Sequence, residues 1–208
     1  MKRLDQVVLA SGNAGKLKEF AALLAPLGIR MVSQADLGVK EVAEPHLTFM
    51  ENALLKARHA SKCTGLPALA DDSGLCVSAL DGAPGVHSAR FAEAEHGSRS
   101  DEANNLKLVR LLNGQDDRRA MYVAVLVLVR RHDDPLPLFA QGLWHGQIVD
   151  PPRGLNGFGY DPHFFLPDQG MTAAELSPDA KNALSHRAKA MAQLVDALRS
   201  IDSIERHS

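Results

Sequence analysis

Two adjacent aspartates, Asp71 and Asp72, followed by Ser73 and Gly74, form the most chemically suggestive cluster in the chain. Neighbouring carboxylates repel, and a hard cation is one reason to keep them side by side. Mg²⁺ takes oxygen ligands and shares a few carboxylates with substrate phosphates. A turn with two solvated acids is the other reading. Successive residues of an extended segment point opposite ways, so the two acids need not do the same work. Glu44, in the loop before a capped helix, is either a further oxygen ligand or an ordinary surface acid. Ser11-Gly12-Asn13-Ala14-Gly15-Lys16 offers phosphate chemistry, because backbone N–H groups at a helix N-terminus favour anions and Lys16 adds a point charge. It is no Walker A loop: the spacing is too short and no Ser or Thr follows the lysine. An ordinary βα turn with a solvated lysine stays open.

Three more segments carry polar groups in suggestive company. Asn52, Lys56 and His59 fall at i, i+4 and i+7, hence on one helical face, where Lys56 either addresses a phosphate or is solvated. Gly154 to Pro162 is dense in glycine and contains Phe158 and Tyr160, two exposed-looking rings that suit a flat base, or else fill a local core. Asp161 is held extended by Pro162. Lys181 with Ser185-His186-Arg187 makes a contact set for anionic or polar groups, or solvates a helix end. No H-E-x-x-H or other zinc spacing occurs among the histidines, which disfavours a zinc enzyme.

These residues need elements to position them. Val7–Ala10 reads as a buried strand, and Lys16–Leu27 as a helix with Leu17, Phe20, Leu23, Leu24 and Leu27 at helical spacing, stopped by Gly28. Residues 36–46 read as a loop. Thr48-Phe49-Met50-Glu51 fits a capping box for a helix running to about Cys63. Ala68–Ala70 is a short strand ending at the acid pair, and Leu75–Leu80 another. Asp81–Gly85 is a turn. Residues 101–112 form a helix with Leu106, Val109 and Leu112 on one side. Met121–Val129, apolar on both faces, is a central strand. Leu136–Val149 is a strand or bent pair broken around Gly142 and Gly146, and His163–Leu166 a short strand. Helices open at Ser177-Pro178 and at Ser185, the latter carrying Met191, Leu194, Val195 and Leu198 inward, with a frayed tail over 202–208. Strands and helices interleave, so the class is α/β within a single domain over 1–208.

Composition narrows the function. An apolar share of 45% is ample for a core, and 23 basic against 25 acidic residues leave a net charge of −2, too little for global attraction to nucleic acid or an anionic membrane. Two cysteines, Cys63 and Cys76, imply no disulfide scaffold. No signal peptide and no membrane span is visible, so a cytoplasmic protein is expected.

Taken in order, the segments resemble the inosine triphosphate pyrophosphatase family. The similarity covers Val7 to about Leu198 and rests on six motifs. They are Ser11-Gly12-Asn13 with Lys16; Thr48-Phe49 through Lys56-Ala57; Ala70 to Leu75; Gly82-Ala83-Pro84-Gly85 with Ser88 to Phe91; Phe158 to Pro162; and Ser185-His186-Arg187. Gly38 to His46 is the least similar stretch, while Phe91 and Trp144-His145 are modest departures that bear little on chemistry.

The resemblance implies a mixed α/β fold with a long central sheet, flanking helices and two lobes around an active-site cleft, usually as a homodimer. It implies Mg²⁺-dependent hydrolysis of ITP, dITP and XTP to the monophosphate and pyrophosphate. Ser11, Gly12, Asn13, Ala14, Gly15 and Lys16 would hold the triphosphate with Lys56. Asp72 would be general base and metal-linked, with Glu44 and Asp71 at the metal. Ser73 would contact the nucleotide. Phe158, Gly159, Tyr160, Asp161, Lys181, His186 and Arg187 would hold the base and its 6-keto group. A Maf-like pyrophosphatase, a haloacid-dehalogenase-type phosphatase and a nucleotide-binding regulator without turnover are the rival readings.

Overall fold

The computed structural model describes residues 4–205. Among them, seven strands form one mixed sheet in the order β2-β1-β3-β4-β5-β6-β7. Strand β1 (Gln6–Leu9) pairs in parallel with β2 (Arg30–Ser33) and with β3 (Ala68–Val77). At the other edge β5 (Leu138–Ile148), β6 (Phe164–Leu166) and β7 (Met171–Thr172) run antiparallel. Strand β4 (Arg119–Val129) takes the middle of the order, as its unbroken apolar run predicts.

The chain divides into two compact units, one of Met1–Asp72, Ala124–Gln141 and Lys189–Ser208, the other of Ser73–Val123 and Gly142–Ala188. Each has its own core. In the first, Val7, Leu9 and Leu69 of the strands pack with Phe20 and Leu24 of α1 (Ala14–Leu24) and with Met191, Leu194 and Leu198 of α6 (His186–Glu205). In the second, Leu75 and Val77 pack with Leu108 and Leu112 of α4 (Asp101–Leu112) and with Trp144, Ile148 and Phe164. Short helices α3 (Glu93–His96) and α5 (Pro178–Leu184) complete the second unit.

Local chemistry sets the helix ends. Thr48 Oγ1 accepts from the Glu51 N–H while donating to the Glu51 carboxylate, closing the expected capping box on α2 (Phe49–Thr64). Gly65, at φ 70°, ends that helix in the left-handed conformation that costs glycine least. Ser177 and Ser185 cap α5 and α6 through the N–H groups of Ala180 and Ala188.

Four expectations are corrected. The acid pair lies inside one continuous ten-residue strand, β3, because Ala68–Ala70 before it and Gly74-Leu75 beyond Ser73 are buried and its charges are met by lysines. Strand β5 is also continuous. Its Gly146 is there because a Cβ would stand 2.6 Å from the Phe165 carbonyl oxygen and 2.7 Å from the Phe164 ring. On α4 the inward face is Asn104, Leu108 and Leu112, while Leu106 is 66% exposed. Buried Asn104 fixes that phase by accepting from the Ala92 N–H and donating to the Ser88 carbonyl. The last helix continues to Glu205, past the expected start of fraying, and 206–208 lie outside the described residues. Strands β2 and β7 were not anticipated; at four and two residues they are too short for periodicity to register.

Candidate active site

In the first unit the carboxylates and lysines converge. The Lys56 ammonium, midway along α2, has three N–H donors and three acceptors: Glu44 Oε1 at 2.7 Å, Asp72 Oδ1 at 2.8 Å and the Asp71 carbonyl at 2.8 Å. The Lys16 ammonium pairs with Asp71 Oδ2 at 2.7 Å. The two aspartates therefore have different partners, as alternation along a strand requires. Burial pushes the Asp72 carboxyl above its ordinary pKa; Lys56 pulls it back, and the nearby charges of Glu44 and Asp71 add to the rise. Burial works against the Lys56 charge, but Asp72 and then Glu44 outweigh it and raise its pKa.

The polar stripe on α2 is not a solvated face. Buried Asn52 clasps the His46 peptide, accepting from its N–H at 3.0 Å and donating to its carbonyl at 3.2 Å. His59 Nε2 meets the Lys40 carbonyl at 3.1 Å. Together with Lys56 these residues fasten residues 40–46 to the helix, and that attachment brings Glu44 to Asp72 from far along the chain.

The glycine loop caps itself. Ser11 Oγ accepts from the Asn13 N–H, Asn13 Oδ1 accepts from the Lys16 N–H, and the Gly12 N–H donates to Glu41 Oε1 at 3.4 Å. A carboxylate thus already stands at an N–H of the expected phosphate loop, and Glu41 was not anticipated. Gly15 faces Asn13 Oδ1, which a Cβ would approach to 3.1 Å. Ala14 opens α1, and its side chain lies outside the described set.

The second unit gathers the remaining candidates around Asp161, which is only 2% exposed. Its Oδ2 accepts from the Phe158 N–H at 2.9 Å and from the Lys181 ammonium, and its Oδ1 accepts from the Tyr122 hydroxyl at 3.2 Å. Lys181 also stands 4.9 Å from the centre of the Phe158 ring. His186, buried, stacks on Tyr122 with ring centres 4.8 Å apart and planes 10° apart, and on Trp144 at 6.3 Å and 18°.

The two aromatics of the glycine-rich loop have different fates. Phe158 is 67% exposed, as a platform for a base requires. Tyr160 is buried and its hydroxyl donates to the Ser88 carbonyl at 2.8 Å, so it anchors the loop and offers no face to a ligand. Between them Gly159 is held from both ends, by Asp101 at its N–H and by Asn105 at its carbonyl. Arg187, next to His186, and Ser73, next to Asp72, are both partly exposed.

Sequence reasoning also missed Tyr122 and set Trp144 aside as chemically minor. The available signal was a phenol inside the Ala, Val and Leu run of β4, since a buried hydroxyl needs a partner.

Among the described residues no three His, Cys, Asp or Glu side chains stand together in a group that could hold a metal ion. The donor set still fits a hard divalent cation. It is all oxygen, Glu44 and Asp72 share one ammonium, and the residual repulsion on Asp72 is what a cation relieves. Carboxylates of this kind beside two lysines, on a mixed α/β sheet, are groups of the type that chemistry on phosphates uses.

The family model described as "Ham1 family" matches residues 7–197, and the chain belongs to that family. It is 66% identical over 203 residues to a dITP/XTP pyrophosphatase of Bordetella parapertussis, covering 98% of this chain and 95% of the relative. It is 62% identical over 200 residues to a dITP/XTP pyrophosphatase of Ralstonia nicotianae, covering 96% of this chain and all of the relative. The solved structure of a HAM1 protein from Coxiella burnetii superposes with a TM-score of 0.89 at 47% identity, covering 94% of this chain and 98% of that one.

Proposed function

We propose that the protein hydrolyses non-standard purine nucleoside triphosphates, namely ITP, dITP and XTP, to the monophosphate and pyrophosphate, with Mg²⁺ as cofactor. The observation that carries this reading is the Lys56 ammonium shared by Glu44 and Asp72, with Lys16 on the neighbouring Asp71. The names of the Bordetella and Ralstonia relatives support the same substrate class.

Asp72 is the general base. Its raised pKa brings it closer to the operating pH, where a base works best, and such help is worth about 10²–10⁴-fold. It takes the proton of a water whose oxygen bonds to one phosphorus of the α–β anhydride. The bond from that phosphorus to the bridging oxygen breaks, giving the monophosphate and pyrophosphate. Lys16 offers positive charge to the phosphate oxygens. Lys56 holds Asp72 and Glu44 in register and keeps Asp72 ionised. Glu44, Asp72 and Asp71 would hold Mg²⁺, which supplies charge neutralisation and Lewis acidity at the phosphates when bound. Ser11 to Lys16 bind the triphosphate, which must displace Glu41 from Gly12.

In the second unit Phe158 stacks on the base, while Lys181, His186 and Arg187 supply donors to its 6-keto group. An adenine amino group in that place leaves donors facing a donor, a mismatch of about 1–3 kcal/mol. Tyr160 and Asp161 act by holding those groups. No helix among the described residues is long and apolar enough to cross a membrane. A cytoplasmic homodimer is the proposed working form, to be checked by sedimentation.

The test is pyrophosphate release from dITP, XTP, GTP and dATP, each with and without Mg²⁺. Metal-dependent release from dITP and XTP, well above that from dATP, is expected. Equal rates on all four overturn the base selectivity, and no release overturns the hydrolase.

A further inference from the structure

We infer that Tyr122 is a positioning residue for base recognition: its hydroxyl fixes Asp161, and through it Lys181, while its ring fixes the plane of His186. This rests on the substrate class proposed above.

Tyr122 touches both halves of the donor set at once. At its tip, the hydroxyl donates to Asp161 Oδ1, and the other oxygen of the same carboxylate holds the Lys181 ammonium and the Phe158 N–H. On its face lies the His186 imidazole, nearly parallel at 10°. Trp144 at 6.4 Å and Phe164 at 4.6 Å pack against the same ring, so Tyr122 has little freedom to turn. It is itself buried on β4, which has a hydrogen-bonded strand on each side.

The hydroxyl is a dependable donor. Burial, and then the charge of Asp161, push its pKa well above that of an ordinary tyrosine, so it stays protonated throughout the working range. Asp161 is a buried carboxylate, so every donor it receives counts toward where its negative charge lies. With the phenol on Oδ1, Oδ2 is left to Lys181 and the Phe158 N–H. The ammonium is then drawn toward Asp161 while remaining near the Phe158 ring. Without the phenol, Oδ1 becomes the emptier acceptor, and Lys181 is drawn off the position from which it meets a base stacked on Phe158. The loop N–H follows the same carboxylate, so the platform and the donor shift together.

The distinguishing variant is Tyr122→Phe, which keeps the ring stack and removes only the hydroxyl. Steady-state pyrophosphate release from dITP and dATP should show KM for dITP raised about tenfold, the equivalent of one hydrogen bond to a charged group. The kcat for dITP should stay within about twofold of wild type, so the dITP-to-dATP preference falls by a similar factor. In a Lys181→Met background, adding Tyr122→Phe should raise KM by clearly less than it does alone, because the route through Lys181 is gone and only the Phe158 N–H still follows the carboxylate. A merely structural role would lower the melting temperature and leave the KM ratio and this coupling unmoved.

Asp161→Asn reads the same link from its other end without altering side-chain size, and must shift the same ratio. Trp144, the chain's single tryptophan, gives an independent signal, since dIMP titrated against its fluorescence should show weaker binding to Tyr122→Phe. Unchanged KM and preference in Tyr122→Phe, or full additivity with Lys181→Met, overturns the inference while leaving the hydrolase reading intact. A wild-type protein that releases no pyrophosphate from dITP overturns both.

Discussion

Replacing Lys56 by methionine keeps the length of the side chain and removes the charge on which the carboxylates converge. The Lys56 side chain is 14% exposed, and its ammonium has three internal acceptors, two of them carboxylates. Without it, Glu44 and Asp72 lose the ammonium they share, while Lys16 stays on Asp71. Removing one partner of a buried ion pair costs about 3–5 kcal/mol. The partial exposure of Glu44 puts Lys56→Met at the lower end, about 3 kcal/mol. In a chain of this size that corresponds to a fall in Tm of roughly 6–12 °C.

The deficit has a defined pH dependence. Burial, Glu44 and Asp71 all raise the pKa of Asp72, and Lys56 is what lowers it. In the variant the folded-state pKa therefore climbs further above the unfolded value near 3.9. Between those two values the folded chain holds a proton that the unfolded chain has released, so folding stability falls as pH rises through the window. The gap from wild type should be widest at pH 8 and narrow toward pH 5. Glu44→Gln added to Lys56→Met should recover part of the loss by removing one of the stranded charges. Thermal unfolding followed by circular dichroism at both pH values measures all three proteins. A Lys56→Met protein as stable as wild type, or a gap that ignores pH and Glu44, refutes the reasoning.

Asp72→Asn should lower kcat on dITP by at least about a hundredfold, since the amide cannot accept the water's proton. Its Tm should stay within a few degrees of wild type, because Lys56 keeps Glu44 and the Asp71 carbonyl as partners. Away from the site, buried Asp134 receives the Arg130 guanidinium on both oxygens, at 2.7 and 2.8 Å, and those bonds hold its carboxyl far below the usual range. Asp134→Asn should cost about 3 kcal/mol in urea unfolding at pH 7. Because the folded pKa is depressed, the stabilisation is present in full above the unfolded value near 3.9 and is lost as pH falls below it. The difference should thus be flat from pH 8 to pH 5 and shrink only in stronger acid.

Local rules carried the sequence a long way. The capping box at Thr48, the stop at Gly28, the serine caps and the apolar run of β4 each depend on a few neighbouring residues, so they could be read before any packing was known. The charged candidates were visible by type and order, and the six motifs pointed to the family that the whole-chain match bears out.

What the sequence could not decide is which groups face one another. Glu44 and Asp72 lie 28 positions apart, and only the clasp of Asn52, Lys56 and His59 on residues 40–46 brings them to one ammonium. Phe158 and Tyr160 look alike in the sequence, yet one is exposed and the other bonded to Ser88, a difference set by a partner 72 residues away. Tyr122 reads as one more residue of an apolar strand, and its link to Asp161 and His186 exists only once three distant segments pack. Periodicity and capping are short-range and survive in the one-dimensional text. Charge pairing and ring stacking depend on distances through space, and those only the folded chain fixes.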